Sequence, residues 1–426
     1  MKEKKLMRAV EASVASISKG LGFLRRQQRD WKTTVIRSSL DRFTYQMVFP
    51  YQSVYTVALG ANATQLGFVN SVGMGIAGIL SPLTGWLIDR IGTKRIYLIG
   101  IGLLTIYYFI YGIAQNWTII IFGMAVYWLG FTTSMHSCAT ICANSLANKD
   151  RATGMSLCET VAAGLLGAAG PMLGALLVTT FGGVNTGGIR PLYFIGFAVT
   201  IGIFLLILTR LSNRKWGTQG EANYSFFTSI SQVFKQGHNL KRWVVISCMT
   251  YLPMGMILPF THIFAHEIKG ADQYILGAMV TGYALTPLVL GIPLGRLADK
   301  IGRKKVLYLT APLFWASNLV LIWAPSPAFL IAAGVLQGFF QMNLVITGAM
   351  TFELVPPEQM GRWLGMVRFF RWPLAASAAY LAGTIWDNIG PQYLFLAFIG
   401  LDICVRIPLL IGMHETRWQV KMERGE

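Results

Sequence analysis

The sequence predicts an all-α membrane protein, with twelve transmembrane helices in two six-helix bundles. Three observations lead there. First, 54% of the 426 residues are hydrophobic and only 13% are charged, against about 25% charged in a soluble domain. Second, apolar runs of about 20 residues recur along the chain, each enough to cross a ~30 Å hydrocarbon layer. Third, a charged, glycine-punctuated segment occurs twice, at Gly85 to Arg95 and at Gly295 to Lys305. Both copies read G-x-x-x-D-[RK]-x-G-x-K-[RK], and 295 − 85 = 210 residues separate them, close to half the chain. A repeat at half-length means two homologous halves. A β-barrel would alternate polarity over ~10-residue segments instead.

Residues 1–32 form a cytoplasmic basic segment. Lysines and arginines alternate with Leu6, Val10, Val14, Ile17, Leu21 and Leu24 at helical spacing. It reads either as an amphipathic helix on an anionic inner leaflet or as a disordered basic tail. The absence of a continuous apolar core argues against a secretory signal. Six spans follow within a first bundle, 33–211, near 33–59, 64–88, 96–115, 117–145, 152–181 and 191–211. A polar cytoplasmic linker, 212–242, separates the halves. Six more spans make the second bundle, 243–414, near 243–267, 273–298, 306–324, 327–354, 363–386 and 391–413, before a cytoplasmic tail, 415–426. The repeat extends past the charged motif: Pro50, Gly60 and Gly67 match Pro259, Gly270 and Gly277, and Arg151-x-x-Gly154 matches Arg362-x-x-Gly365.

The net charge of +18 comes from 36 Lys+Arg against 18 Asp+Glu. These cations fall between the apolar runs and mostly on one side, the pattern of cytoplasmic loops rather than of nucleic-acid binding. Both termini are therefore expected in the cytoplasm, and the chain in an inner or plasma membrane. The five cysteines, Cys138, Cys142, Cys158, Cys248 and Cys404, sit inside apolar runs with no C-x-x-C pair. They predict neither a disulfide framework nor a metal site. His136 beside Cys138 and Cys142 reads as ordinary polar packing between helices. No H-E-x-x-H, nucleophile elbow or P-loop occurs, so neither an enzyme nor an ATP-driven pump is expected.

The doubled motif, its placement after the second and eighth spans, and the span count resemble the major facilitator superfamily of secondary transporters. The resemblance covers about residues 33–414. It implies two bundles related by a pseudo-two-fold axis along the membrane normal, with a substrate cavity between them. It also implies a gating role for Gly85, Asp89, Arg90, Gly92 and Arg95 in the first copy and for Gly295, Asp299, Lys300 and Gly302 in the second. In that pattern the aspartate engages the other bundle in one closed state, and the basic residues pair with acids at neighbouring helix ends. Glu353 is the acid expected for the second copy. Its first-half counterpart falls near Cys142, so the matching acid is missing there. Gly170, Pro171 and Gly174 resemble the Gly-Pro motif of proton-coupled drug exporters, and as bare chemistry they favour a bent, closely packed helix. The arginine such exporters carry in the fourth span is absent from Val126 to Gly130.

Ionisable groups at membrane depth are rare and usually functional. Asp41 is the first candidate for proton or cation binding, with Arg42 and Tyr45 beside it, and Glu159 is the second. Arg368 and Arg371 are candidates for an anionic group or for neutralising those carboxylates, and Gln337 and Gln341 share a face that adds polar contacts. Asp402 and Arg406 read as a structural ion pair at i,i+4. His262, His266 and Glu267 read as a hydrated interfacial group. Tyr45, Trp128, Met135, Tyr251, Met254 and Trp372 are expected to wall the cavity. The functional expectation is a monomeric, cofactor-free transporter of a small molecule working by alternating access in the lipid bilayer. Its first form is proton-coupled export of amphipathic or drug-like compounds; the alternatives are uptake or exchange of a small organic anion and, further off, a non-transporting membrane receptor.

Overall fold

A computed structural model describes residues 26–146, 158, 162–213, 238–354 and 360–413. Among these, every regular element is helical. In chain order they are α1 (Arg29–Ala58), α2 (Ala63–Ile91), α3 (Thr93–Ile113), α4 (Trp117–Ser145), α5 (Ala162–Thr180) and α6 (Thr186–Arg210). The second half contributes α7, built of His238–Met256, Leu258–Ile263 and the π-turn Phe264–Ile268, then α8 (Gln273–Ile301), α9 (Arg303–Trp323) and α10 (Phe329–Glu353). It ends with α11 (Met360–Asn388) and α12 (Tyr393–Ile411), the latter containing a π-turn at Asp402–Arg406. Among the described residues nine of these are long and apolar enough to cross a membrane. The other three are α1, α5 and α11. Of these, α1 and α11 carry the intramembrane charges Arg37, Asp41, Arg42, Arg368 and Arg371, which lowers their apolarity. The outward faces carry side chains such as Phe122, Ile292 and Val345, each more than 60% exposed, a surface that suits lipid and not water.

Each half packs in the same way. In the first, α1 lies on α5 and α6, α2 on α4, and α3 on α4 and α6; in the second, α7 lies on α11 and α12, α8 on α10, and α9 on α10 and α12. The halves meet along two seams, α2 with α11 and α5 with α8. Exchanging the halves turns one seam into the other, which is the pseudo-two-fold relation expected from the repeat. Glycine sets how closely the seams approach. A Cβ on Gly67 would strike the Ala379 carbonyl, one on Gly383 the Ala63 carbonyl, and one on Gly277 would come within 2.9 Å of the Pro171 carbonyl.

The doubled motif is almost wholly helical. Each copy completes one helix and starts the next, and the break between them is a single residue: Gly92 with φ +96° and Gly302 with φ +104°. A side chain there costs about 1–3 kcal/mol in strain, so glycine is strongly favoured. The motif lysines cap a neighbouring helix end in both halves. Lys94 Nζ donates to the Leu211 carbonyl at 2.6 Å, after α6, and Lys304 Nζ donates to the Ile411 and Met413 carbonyls at 2.8 and 2.6 Å, at the end of α12. A cation on exposed C-terminal carbonyls is favourable on both hydrogen-bonding and dipole grounds. The starts of α1 and α7 are tied to the same ends. The Ser212 backbone N–H donates to Asp30 at 2.9 Å, Arg242 donates to the Gly412 carbonyl, and Trp31 and Trp243 are fully buried beside these ties.

The expected spans need small corrections. The sixth begins at Thr186 instead of 191, because the Asn185 side chain accepts from Gly188 N–H and caps it, and Pro191 rides within its first turns. The seventh begins at His238 and breaks at Ile257, between Pro253 and Pro259, where missing backbone donors interrupt the ladder. Residues 1–25, most of the 212–242 linker, Arg151, Gly154 and the tail lie outside the described residues, as does Glu159.

Candidate functional site

Between the bundles lies a cavity of about 150 Å³, walled mainly by α1, α2 and α4, with Met254, Leu258 and Pro259 of α7, Tyr283 of α8 and Gln341 of α10 closing it from the second half. This is below the ~300 Å³ of an ordinary ligand pocket. In this conformation it is a compact chamber. A drug-sized ligand requires the bundles to part.

Helix α1 supplies the polar side of the wall. Asp41, Tyr45, Phe49 and Gln52 share one face at helical spacing, with Arg42, Gln46 and Ser53 beside them. Tyr45 stacks on Tyr127 at 5.7 Å and 11°, Phe49 meets the edge of His262 at 5.1 Å, and Gln341 donates to the Tyr283 hydroxyl at 2.5 Å. Tyr108, Trp128, Phe131, Met74 and Met124 make the rest of the lining apolar and polarisable, a surface that accepts varied shapes.

One residue that the sequence reading passed over sits at the centre of this electrostatics. Arg37, one turn before Asp41, is buried and reaches across to α4. Its Nη2 donates to Ser134 Oγ at 2.5 Å and lies 3.4 Å from Asp41 Oδ2, and the guanidinium sits 5.2 Å from the Tyr97 ring centre. Its Nε, buried, finds no acceptor among the described residues. A buried arginine therefore bridges α1 and α4, while Asp41 remains a quarter exposed and faces the cavity.

The remaining candidates separate. Gln341 lines the cavity, whereas Gln337 turns away and donates to Thr261 Oγ1 at 3.0 Å. Arg371 is buried over the Tyr251 ring at 3.5 Å and donates to Ser247 at 2.9 Å, all within the second bundle. Arg368 crosses to the first bundle, where it meets His136 of α4. Neither arginine reaches the cavity wall. Of the expected aromatic and methionine lining, Tyr45, Trp128 and Met254 are in the wall. Trp372 packs behind Trp128 at 4.8 Å and Tyr251 behind Trp372 at 6.2 Å, while Met135 is 54% exposed. His262 corrects the expectation of a hydrated group: it is buried, whereas Glu267 is exposed and His266 sits near the turn, with its Nδ1 2.8 Å from the Ala271 carbonyl. Asp402 and Arg406 form a bidentate pair at 2.5 and 2.7 Å, with Trp315 Nε1 donating to Asp402 at 2.7 Å. Cys138, Cys142 and Cys158 converge, with every Sγ within 4.8 Å of the others.

Gly170 and Gly174 let α5 approach α1. A Cβ at Gly170 would lie 2.6 Å from the Phe43 carbonyl, and one at Gly174 would strike the Met47 carbonyl. Pro171 turns its own carbonyl toward Gly277 across the seam. At the motif, Glu353 meets the second copy through Arg303, 3.0 Å away. Arg90, Arg95, Asp299 and Lys300 are exposed, the Gly295 α-carbon has open space around it, and the Asp89 side chain lies outside the described residues. At the opposite end the bundles are joined: Thr64 N–H donates to Asp387 at 2.8 Å, Tyr51 to the Gln273 carbonyl at 3.0 Å, and Gln273 to Thr179 at 2.9 Å.

The family model described as Major Facilitator Superfamily matches residues 36–275 and 243–412. The chain belongs to that superfamily. It is thus a multi-pass membrane transporter of a small molecule. It is 28% identical over 312 residues, 69% of this chain and 72% of the relative, to the multidrug resistance protein MdtG of Escherichia coli O9:H4 (strain HS). Among solved structures, the nucleoside transporter NupG superposes with a TM-score of 0.73 at 16% identity, covering 91% of this chain and 100% of that one. The human organic anion transporter MFSD10 (TETRAN) superposes at 0.63 and 16% identity, over 90% and 99%. At these identities the structural likenesses speak to the fold alone.

Proposed function

We propose that this transporter exports small amphipathic compounds in exchange for protons, with Asp41 as the proton-carrying group and Arg37 as its partner. One observation carries the reading: the cavity holds a carboxylate on its wall beside a buried arginine fixed from behind by Ser134 and Tyr97. Arg37 and Asp41 stand 3.4 Å apart on α1, so a proton on Asp41 removes one side of that ion pair at the cavity wall. A cationic or amphipathic substrate entering the cavity competes for the same carboxylate, and exclusion of proton and substrate by each other is the requirement for exchange. The aromatic and methionine lining and the likeness to a multidrug resistance protein support an amphipathic cargo. The exposed motif residues and the joined opposite end fit a chamber that opens toward the motif, which the positive-inside rule assigns to the cytoplasm. The chain then works as a monomer in an inner or plasma membrane. Asp299 engages the opposite bundle only in the alternate state.

Arg42 supports a second reading, transport of a small organic anion. It lines the cavity and makes no ion pair among the described residues. Proteoliposome flux separates the two. Export accelerated by a pH gradient and uncoupled in Asp41→Asn supports exchange. Flux of the unmodified protein that is indifferent to the gradient and unchanged in Asp41→Asn and Glu159→Gln rejects it. Anion binding that disappears in Arg42→Ala supports the second reading.

A further inference from the structure

We propose that Cys138, Cys142 and Cys158 form a binding site for a thiophilic divalent d10 cation of the zinc class, at the motif end of the first bundle. Cys138 and Cys142 stand one turn apart on α4, and Cys158, sixteen residues further on, closes the group. All three are buried, and all three Sγ atoms lie within 4.8 Å of one another. Three thiolates around an ion at ~2.3 Å place their sulfurs ~4 Å apart when trigonal, so the cluster needs little rearrangement. Cys142 Sγ donates to Cys158 Sγ at 3.3 Å, so the two thiols already face one another.

Two neighbours point to a cation and to its charge. Ser38 Oγ is 3.5 Å from Cys138 Sγ and 3.8 Å from Cys158 Sγ, where it can supply a fourth, oxygen ligand and complete a tetrahedron. Arg37 lies within electrostatic reach of Cys138 and Cys158. A divalent ion takes up three thiolates and releases three thiol protons, leaving one net negative charge. The Arg37 guanidinium, shared with Asp41, faces that charge, and a buried site favours the smallest uncompensated charge. A monovalent ion would leave one negative charge more than a divalent one.

The test uses the full-length reduced protein in detergent, titrated with cadmium and read by the ultraviolet thiolate-to-cadmium charge-transfer band. The expected result is saturation at one ion per chain, affinity reduced at least roughly tenfold in Cys138→Ser, Cys142→Ser and Cys158→Ser, and no change in Cys248→Ser or Cys404→Ser. X-ray absorption on the unmodified zinc-loaded chain should count three sulfur neighbours, a readout that needs no variant to fold. The proposal is overturned if no band forms, if the band survives in the three variants, if fewer than three sulfurs are counted, or if the isolated chain carries a Cys142–Cys158 disulfide in place of free thiols.

Discussion

Adding one methyl group at Gly67 should open the seam between the bundles without unfolding either of them. That methyl would strike the Ala379 carbonyl oxygen, with the carbonyl carbon at 3.2 Å and Tyr380 Cα at 3.3 Å. These are backbone atoms, so no side chain can swing aside, and α2 and α11 must separate by about an ångström to restore ordinary contact. Over-packing of this kind costs about 1–3 kcal/mol. Because the clash lies between bundles, that cost falls on the conformation closed at the far end and is relieved when the bundles rock apart. It therefore becomes a shift of roughly 5- to 150-fold in the conformational equilibrium. Gly383→Ala, pressed against Ala63 and Thr64 on the same seam, should act likewise. Gly174→Ala is the contrast: its methyl meets Met47 within the first bundle, so both conformations suffer and the equilibrium stays put. Spin labels on Gln115 and Ser326, exposed in far-end turns of the two halves, would report the spacing by pulsed electron resonance. Gly67→Ala and Gly383→Ala should lengthen the distance and Gly174→Ala should lower thermal stability only. A distance unchanged in the first two would refute the assignment of this seam as the moving closure.

Further outcomes follow from the same geometry. Gly302→Ala should cost about 1–3 kcal/mol from its backbone conformation alone, read as a lower melting temperature of the purified protein. Asp402→Leu should destabilise by about 3–5 kcal/mol through the stranded Arg406, whereas Asp402→Leu with Arg406→Leu should recover most of that loss; chemical-denaturation midpoints would check both. Arg371→Ala should lower stability while leaving substrate affinity within about twofold, because the side chain is held by Tyr251 and Ser247 away from the cavity; ligand titration and thermal melting together distinguish the two effects.

The bundles were legible in the sequence because their signals are local. Apolar length, the duplicated motif and loop charge each need only neighbouring residues, and helix ends came within a few positions. The site was legible only where one helix carries it. Asp41 and Tyr45 share a face of α1, with Arg42 beside them, and all three reach the wall. Arg368 and Arg371 looked equivalent on a helical wheel, yet one crosses to His136 and the other folds onto Tyr251, because inter-helix register, absent from the sequence, decides what an intramembrane arginine meets. The same blindness hid Arg37, whose Ser134 partner is 97 positions away. It also hid Cys158, which spacing separates from the other two cysteines and packing returns to them.

The central claim is that Asp41 carries the exchanged proton, and the most direct measurement is substrate-induced proton release from purified protein in unbuffered detergent solution. At a pH where Asp41 is partly protonated, binding of an amphipathic cationic substrate should release up to about one proton per chain by linkage, and Asp41→Asn should release none while still binding. Equal release from Asp41→Asn, or binding with no release from the unmodified protein at any pH, would contradict it.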